Sequence, residues 1–86
     1  MHADPMPNLD RFMKAYESAL ISAVQGHPDE YAFPPSRVPE VAARMRAAIE
    51  RGTYSHDGRG FRGACKALGI RHTRKAIHAF IDGAAS

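Results

Sequence analysis

The sequence predicts an all-α fold: a compact bundle of four helices in a single domain over residues 1–86. Apolar residues recur at the 3.6-residue spacing of a helix in four segments, and no segment has the pattern of a strand. A glycine follows each of these segments and marks the end of a helix there. A chain of 86 residues is just long enough to build one hydrophobic core without disulfides or metals.

The first helix is predicted over residues 9–25, and a flexible N-terminal segment at residues 1–7 precedes it. Asn8 is a suitable N-cap, and Gly26 is expected to end the helix in the left-handed conformation. We interpret the apolar stripe of this helix as core, although a homodimer could use the same surface. The stripe comprises Leu9, Phe12, Met13, Tyr16, Leu20, Ala23 and Val24.

A proline-rich connector is predicted at residues 26–38. Four prolines fall within residues 27–39, where they fix φ and remove backbone donors. The segment should therefore be stiff, with one helical turn at residues 28–31. Tyr31 and Phe33 are expected to fold back onto the core, and the alternative is an exposed aromatic docking loop.

The second helix is predicted over residues 39–51, with Pro39 in its first turn and Gly52 at its end. Arg46 and Glu50 are expected to point outward. The buried stripe is expected to comprise Val38, Val41, Met45, Ala48 and Ile49.

A glycine-rich loop is predicted at residues 52–59, and its turn-forming residues make it the most mobile segment expected in the chain. The third helix follows over residues 60–68. Gly69 is expected to be its left-handed stop, with Ile70 as the apolar residue that packs back on the helix. The inward side chains are expected to be Phe61, Ala64, Cys65 and Leu68.

The fourth helix is predicted over residues 73–82, with the Thr73 hydroxyl as its cap and Gly83 at its end. Its faces are predicted from the same spacing. The inner face is expected to comprise Ala76, Ile77, Phe80 and Ile81, and the outer face Lys75, His78 and Asp82, with Arg74 at the edge.

Charge is distributed unevenly along the chain, whose formal net charge is +3. Residues 1–35 carry two basic and five acidic side chains, whereas residues 36–86 carry ten basic and four acidic ones. The stretch from Arg59 to His78 contains six lysines and arginines and no acid. Such a one-sided field favours a polyanionic or acidic partner, and the alternative is the solvated surface of a basic protein.

The segment from Phe61 to Ile81, FRGACKALGIRHTRKAIHAFI, resembles a helix-turn-helix DNA-binding domain. A small residue stands where the two helices cross, Gly69 forms the turn, and the apolar Ile70 follows it. The second helix then begins with polar residues and keeps apolar ones on its inner face. The interval from Ile70 to Ile77 is seven residues rather than about five, so the turn is predicted to be about two residues longer than usual.

The resemblance implies that residues at the start of the second helix contact base edges and that flanking basic residues contact phosphates. A helical hairpin closed by a glycine would account for the apolar positions equally well. That alternative leaves six side chains without a role in folding, namely Lys66, Arg71, His72, Arg74, Lys75 and His78. The full set of candidate contacts comprises Arg59, Arg62, Lys66, Arg71, His72, Thr73, Arg74, Lys75 and His78.

Catalytic and metal chemistry are not predicted. The five histidines lack the i, i+3 or i, i+4 spacing that brings two ligands to one metal on a helix. Cys65 is the only cysteine, which excludes an internal disulfide and a multi-cysteine zinc site, and its place in an apolar stripe makes the thiol inert. No paired-carboxylate, nucleophile-elbow or phosphate-cradling motif is present, so we expect neither an enzyme nor a cofactor.

The N-terminal residues lack a signal-peptide pattern, and no apolar run reaches the ~20 residues that a membrane span needs. A cytoplasmic protein is therefore expected. The predicted function is that of a small basic DNA-binding protein in transcriptional or mobile-element regulation. The alternative is a non-enzymatic adaptor or inhibitor, for example one encoded by a phage or mobile element, that binds an acidic protein surface.

Overall fold

The computed structural model describes residues 5–83, and in that part of the chain every regular element is helical. The predicted all-α bundle of four helices is confirmed, and each helix begins and ends within one residue of its predicted bounds. The α-helices are α1 (Leu9–Gly26), α2 (Val38–Arg51), α3 (Arg59–Leu68) and α4 (Arg74–Ile81). Within the described range, no helix is both long enough and apolar enough to cross a membrane.

The connector between α1 and α2 contains two short 3₁₀ turns, Pro28–Glu30 and Pro35–Arg37. The first corresponds to the helical turn predicted there, and the second was not predicted. Tyr31 and Phe33 are half-buried against the core and meet edge to face, with 5.7 Å between their ring centroids. The expectation that the two aromatics fold back onto the core is therefore confirmed.

The closest helix packing in the described chain is between α1 and α3. Two glycines of α3 face α1 at this contact. A Cβ atom added to Gly63 would lie 2.6 Å from the Cβ atom of Ala19, and one added to Gly60 would lie 2.8 Å from Cε1 of Tyr16. The absence of side chains at Gly60 and Gly63 therefore sets how closely the two helices approach.

Phe61 lies at the centre of the core, with three aromatic rings around it. The centroid of its ring is 5.6 Å from that of Phe12, 5.0 Å from that of Tyr16 and 5.7 Å from that of Tyr54. Two of these neighbours come from the predicted stripe of α1. Tyr54 comes from the loop before α3 and was not predicted to be buried, yet its side chain is only 5% exposed.

The buried face of α2 differs slightly from the predicted stripe. Val38 and Ile49 are fully buried as expected, whereas Ala42 is buried although it was not predicted to be. The remaining predicted residues, Val41, Met45 and Ala48, are half-buried against the core. Arg46 was predicted to point outward; its side chain is 40% exposed and pairs at the surface with Asp10 of α1 at 2.5 Å.

Glycine ends three of the helices in the predicted manner. Gly52 after α2, Gly69 after α3 and Gly83 after α4 have left-handed backbones, with φ of 75°, 69° and 74°. The prediction for Gly26 is wrong, because this residue is the last of α1 and does not adopt a positive φ. His27 instead donates its backbone N–H to Ala23 O at 2.9 Å, and Pro28 has no N–H with which to continue the helix.

Asn8 precedes α1 as predicted, but its side chain does not cap the helix. Its Nδ2 atom instead donates a hydrogen bond to Phe80 O at 3.0 Å, and its backbone N–H donates to Ile81 O at 3.1 Å. Asn8 therefore fastens the start of α1 to the end of α4. Residues 1–4 of the predicted flexible segment lie outside the described residues, and Met6 is half-buried against the core.

Candidate nucleic-acid interface

The unit formed by α3, its turn and α4 has a long turn, and the two helices make few close backbone contacts with each other. Ile70 donates its N–H to Cys65 O at 3.0 Å, and Gly69 donates to Lys66 O at 3.3 Å. These two bonds form the motif by which a left-handed glycine closes a helix. Five residues, 69–73, separate α3 from α4, compared with three or four in most helix-turn-helix units.

Thr73 caps α4 as predicted. Its backbone is extended, with φ of −134° and ψ of 150°, and its Oγ1 atom accepts a hydrogen bond from the Ala76 N–H at 3.1 Å. Such a bond satisfies one of the amides left open at a helix start. The hydroxyl of this candidate contact residue therefore has a role in folding.

Arg74 is bound to the loop between α2 and α3. Its Nη1 atom donates to Tyr54 O and its Nη2 atom donates to Gly52 O, each at 2.9 Å. The guanidinium carbon also lies 4.4 Å from the centroid of the Tyr54 ring, within cation–π range. Both terminal nitrogens of Arg74 thus donate to backbone carbonyls of the protein itself.

The two candidate histidines also contact this loop. The Nε2 atom of His72 donates to His56 O at 2.6 Å, and the two histidine rings meet edge to face. The ring of His78 lies 5.3 Å from that of Tyr54 and is half-buried rather than outward-facing. The expectation that six side chains lack a role in folding is therefore wrong for His72, Arg74 and His78.

Tyr54 is the residue on which these contacts converge, and sequence reasoning missed it. Its ring stacks on Phe61 at an interplanar angle of 12°, and the predicted loop is in fact anchored at this point. The Tyr54 hydroxyl is buried and has no hydrogen-bond partner. Burial raises the pKa of this phenol, and the nearby Arg74 charge partly opposes the rise. An aromatic residue within a run of turn formers was the available signal.

Four of the candidate cations are exposed and form neither an ion pair nor a side-chain hydrogen bond among the described residues. Arg62 and Lys66 lie one turn apart on α3, Arg71 lies in the turn, and Lys75 lies on α4. Arg59 differs, since its Nη1 atom lies 2.8 Å from Glu30 Oε2, an oxygen that also meets His27 Nδ1.

A surface concavity of about 480 Å³ brings two of these cations together. Arg71 and Lys75 line it with Thr73, and the methyl groups of Ala76 and Ala79 complete the wall. The concavity therefore combines positive charge with a small apolar surface.

Neither a metal site nor a reactive thiol is found among the described residues. No three histidine, cysteine, aspartate or glutamate side chains within residues 5–83 are placed to hold a metal ion. Cys65 is buried in the core, and burial raises the pKa of its thiol. A thiol in that setting stays protonated and is a poor nucleophile.

Comparison of the chain with protein-family models, with curated proteins and with solved structures gives no match.

The nine candidate residues fall into two groups. Four are exposed and have neither an ion pair nor a side-chain hydrogen bond in the described chain, namely Arg62, Lys66, Arg71 and Lys75. Five have partners within the fold, namely Arg59, His72, Thr73, Arg74 and His78.

Proposed function

We propose that this protein is a small basic DNA-binding regulator that contacts nucleic acid through α3, the turn and α4. The observation that carries the proposal is the set of four exposed cations in this unit that form neither an ion pair nor a side-chain hydrogen bond within residues 5–83. They are Arg62, Lys66, Arg71 and Lys75. In this proposal the protein acts in the cytoplasm, in transcriptional or mobile-element regulation.

The surroundings of these cations favour a polyanionic partner. Several basic side chains elsewhere in the described chain stand beside acids: Lys14 has Asp10 and Glu17 one turn away on α1, and Arg44 pairs with Glu40 on α2. No acid interrupts the stretch from 59 to 78. Unbalanced positive charge of this kind attracts a phosphate backbone and releases its counterions on binding.

A DNA-bound dimer would have to use a surface other than the stripe of α1. The apolar side chains of that stripe are buried in the core of the single chain, from Leu9 to Val24. The homodimer interface suggested by the sequence is therefore occupied by the protein's own helices.

An adaptor or inhibitor that binds an acidic protein surface is the second candidate. The concavity beside α4 favours it, because the methyl groups of Ala76 and Ala79 lie next to the charges of Arg71 and Lys75. An acidic helix with small apolar side chains would match both features.

Equilibrium binding to a labelled DNA duplex tests the proposal, with an unrelated basic protein of equal size and charge as the control. We expect binding at least about tenfold tighter than the control, weakening linearly in log Kd with log salt. Binding no tighter than the control would contradict DNA binding. Retention of a single acidic protein, without DNA, on the immobilised chain would favour the second candidate.

A further inference from the structure

We infer that the protein grips the sugar-phosphate backbone and does not read base edges, with Arg71 and Lys75 on phosphates and Arg74 held away from the nucleic acid. This inference rests on the proposed function and states which part of the nucleic acid is bound. It also departs from the helix-turn-helix expectation, in which the first residues of the second helix contact bases.

Arg74 is the residue best placed by sequence to read a guanine, since it is the first residue of α4. Such reading requires the two terminal nitrogens of the guanidinium to face the base edge together. In the fold, both nitrogens donate to carbonyl oxygens, one of Tyr54 and one of Gly52, each at 2.9 Å. Reaching a base would break both bonds, remove the guanidinium from the Tyr54 ring and leave two carbonyls unpaired.

The other polar groups at the start of α4 are engaged in the same way. The Thr73 hydroxyl accepts the bond that caps the helix, and His72 Nε2 donates to His56 O. His78, one turn further along, packs against the Tyr54 ring. The polar side chains at the start of α4 therefore make contacts within the fold that base reading would compete with.

Arg71 and Lys75 remain available, and the concavity between them suits a sugar-phosphate unit. Their charges can neutralise phosphates, while the methyl groups of Ala76 and Ala79 provide an apolar surface for a deoxyribose. Lysine binds phosphate as a point charge, and the guanidinium of Arg71 can hold a phosphate with two parallel hydrogen bonds. The expected result is binding that depends on charge and hardly at all on sequence.

The first arm of the test compares wild-type binding to several duplexes of equal length and unrelated sequence, including the tightest binder selected from a random pool. We expect affinities within about threefold of one another, which is far below the discrimination of a specific DNA reader. A preference above about thirtyfold for one sequence would overturn the inference while leaving DNA binding intact.

The second arm measures the slope of log K against log salt for Lys75→Ala and Arg74→Gln, with folding checked by circular dichroism. Each phosphate contact contributes about 0.9 to this slope on duplex DNA. We expect Lys75→Ala to lose about that amount and Arg74→Gln to keep the wild-type slope. An equal loss in folded Arg74→Gln would overturn the inference, and no binding by the wild type would overturn the proposed function together with it.

Discussion

Arg74 contacts Tyr54 in two ways. Its guanidinium carbon lies over the tyrosine ring, 4.4 Å from the ring centroid, and its Nη1 atom donates a hydrogen bond to the backbone carbonyl of Tyr54. The two residues belong to different segments of the chain, α4 and the loop that precedes α3. Their contact explains why a loop rich in turn formers is held against the core. It also gives a basic side chain, which sequence alone would assign to a partner, a role in folding.

Replacing Arg74 with alanine should lower the free energy of unfolding by about 1–2 kcal/mol. The change removes two hydrogen bonds from a charged donor and one cation–π contact. The site is partly exposed, so each contact contributes less to stability than it would in the core. Urea denaturation followed by circular dichroism measures the loss.

Lys75→Ala is the matched control for that experiment, since Lys75 is the next residue of α4 and is exposed without a partner in the described chain. This substitution should change the free energy of unfolding by no more than about 0.5 kcal/mol. Equal losses for the two variants would show that the Arg74 contacts with the loop do not stabilise the fold.

Tyr54→Phe should leave the protein as stable as the wild type or stabilise it by up to about 1 kcal/mol. The variant keeps the ring that packs on Phe61 and removes a buried hydroxyl that has no partner, and such groups are costly to bury. Urea denaturation again provides the measurement. A loss above about 1 kcal/mol would mean that the hydroxyl is satisfied in solution.

Stability should fall as the pH rises above about 10, the ordinary pKa of tyrosine. Burial raises the pKa of Tyr54 and of Tyr16 in the folded protein, so above that pH the unfolded chain binds fewer protons than the folded one. The free energy of unfolding then decreases with pH. Unfolding curves between pH 8 and about 11 should show a shallower decrease for Tyr54→Phe, and identical decreases would contradict the shift at Tyr54.

Gly63→Ala should destabilise the protein by about 1–2 kcal/mol, because the new methyl group would lie 2.6 Å from the Cβ atom of Ala19. The two helices α1 and α3 would have to separate, which outweighs the better helix propensity of alanine. Thermal unfolding gives the comparison.

Gly26→Ala is the control for that prediction. Gly26 also lies within a helix, its φ is not positive, and nothing lies within 4 Å of an added Cβ atom. This variant should be neutral or slightly stabilising. If Gly63→Ala behaved in the same way, the close approach of α1 and α3 would not depend on the glycine.

The parts of the fold that sequence predicted are those governed by local geometry. Periodicity gives the bounds of the helices, and Gly69 followed by Ile70 gives a helix stop that the hydrogen bond to Cys65 O confirms. The aromatic character of Tyr54 hinted at its burial, but its partners could not be predicted, because the residues of α4 that contact its ring are remote in the chain.

The candidate site likewise has one property that sequence predicts and one that it does not. The excess of positive charge is visible in the composition of residues 59–78. Which cations remain unpaired depends on tertiary contacts, since Arg59 meets Glu30 across 29 positions of the chain and Arg74 meets Gly52 across 22. Sequence reasoning therefore located the basic unit but could not separate the arginines that bond within the fold from those that have no partner in it.

The salt dependence of DNA binding by two double variants of equal charge tests the central claim most directly. Lys66→Ala/Lys75→Ala removes two exposed cations of the α3–α4 unit, and Lys14→Ala/Arg51→Ala removes two exposed cations of α1 and α2. The first should reduce the slope of log K against log salt by about 1.8, and the second should leave it unchanged. Equal slopes for the two variants would contradict DNA binding through α3, the turn and α4.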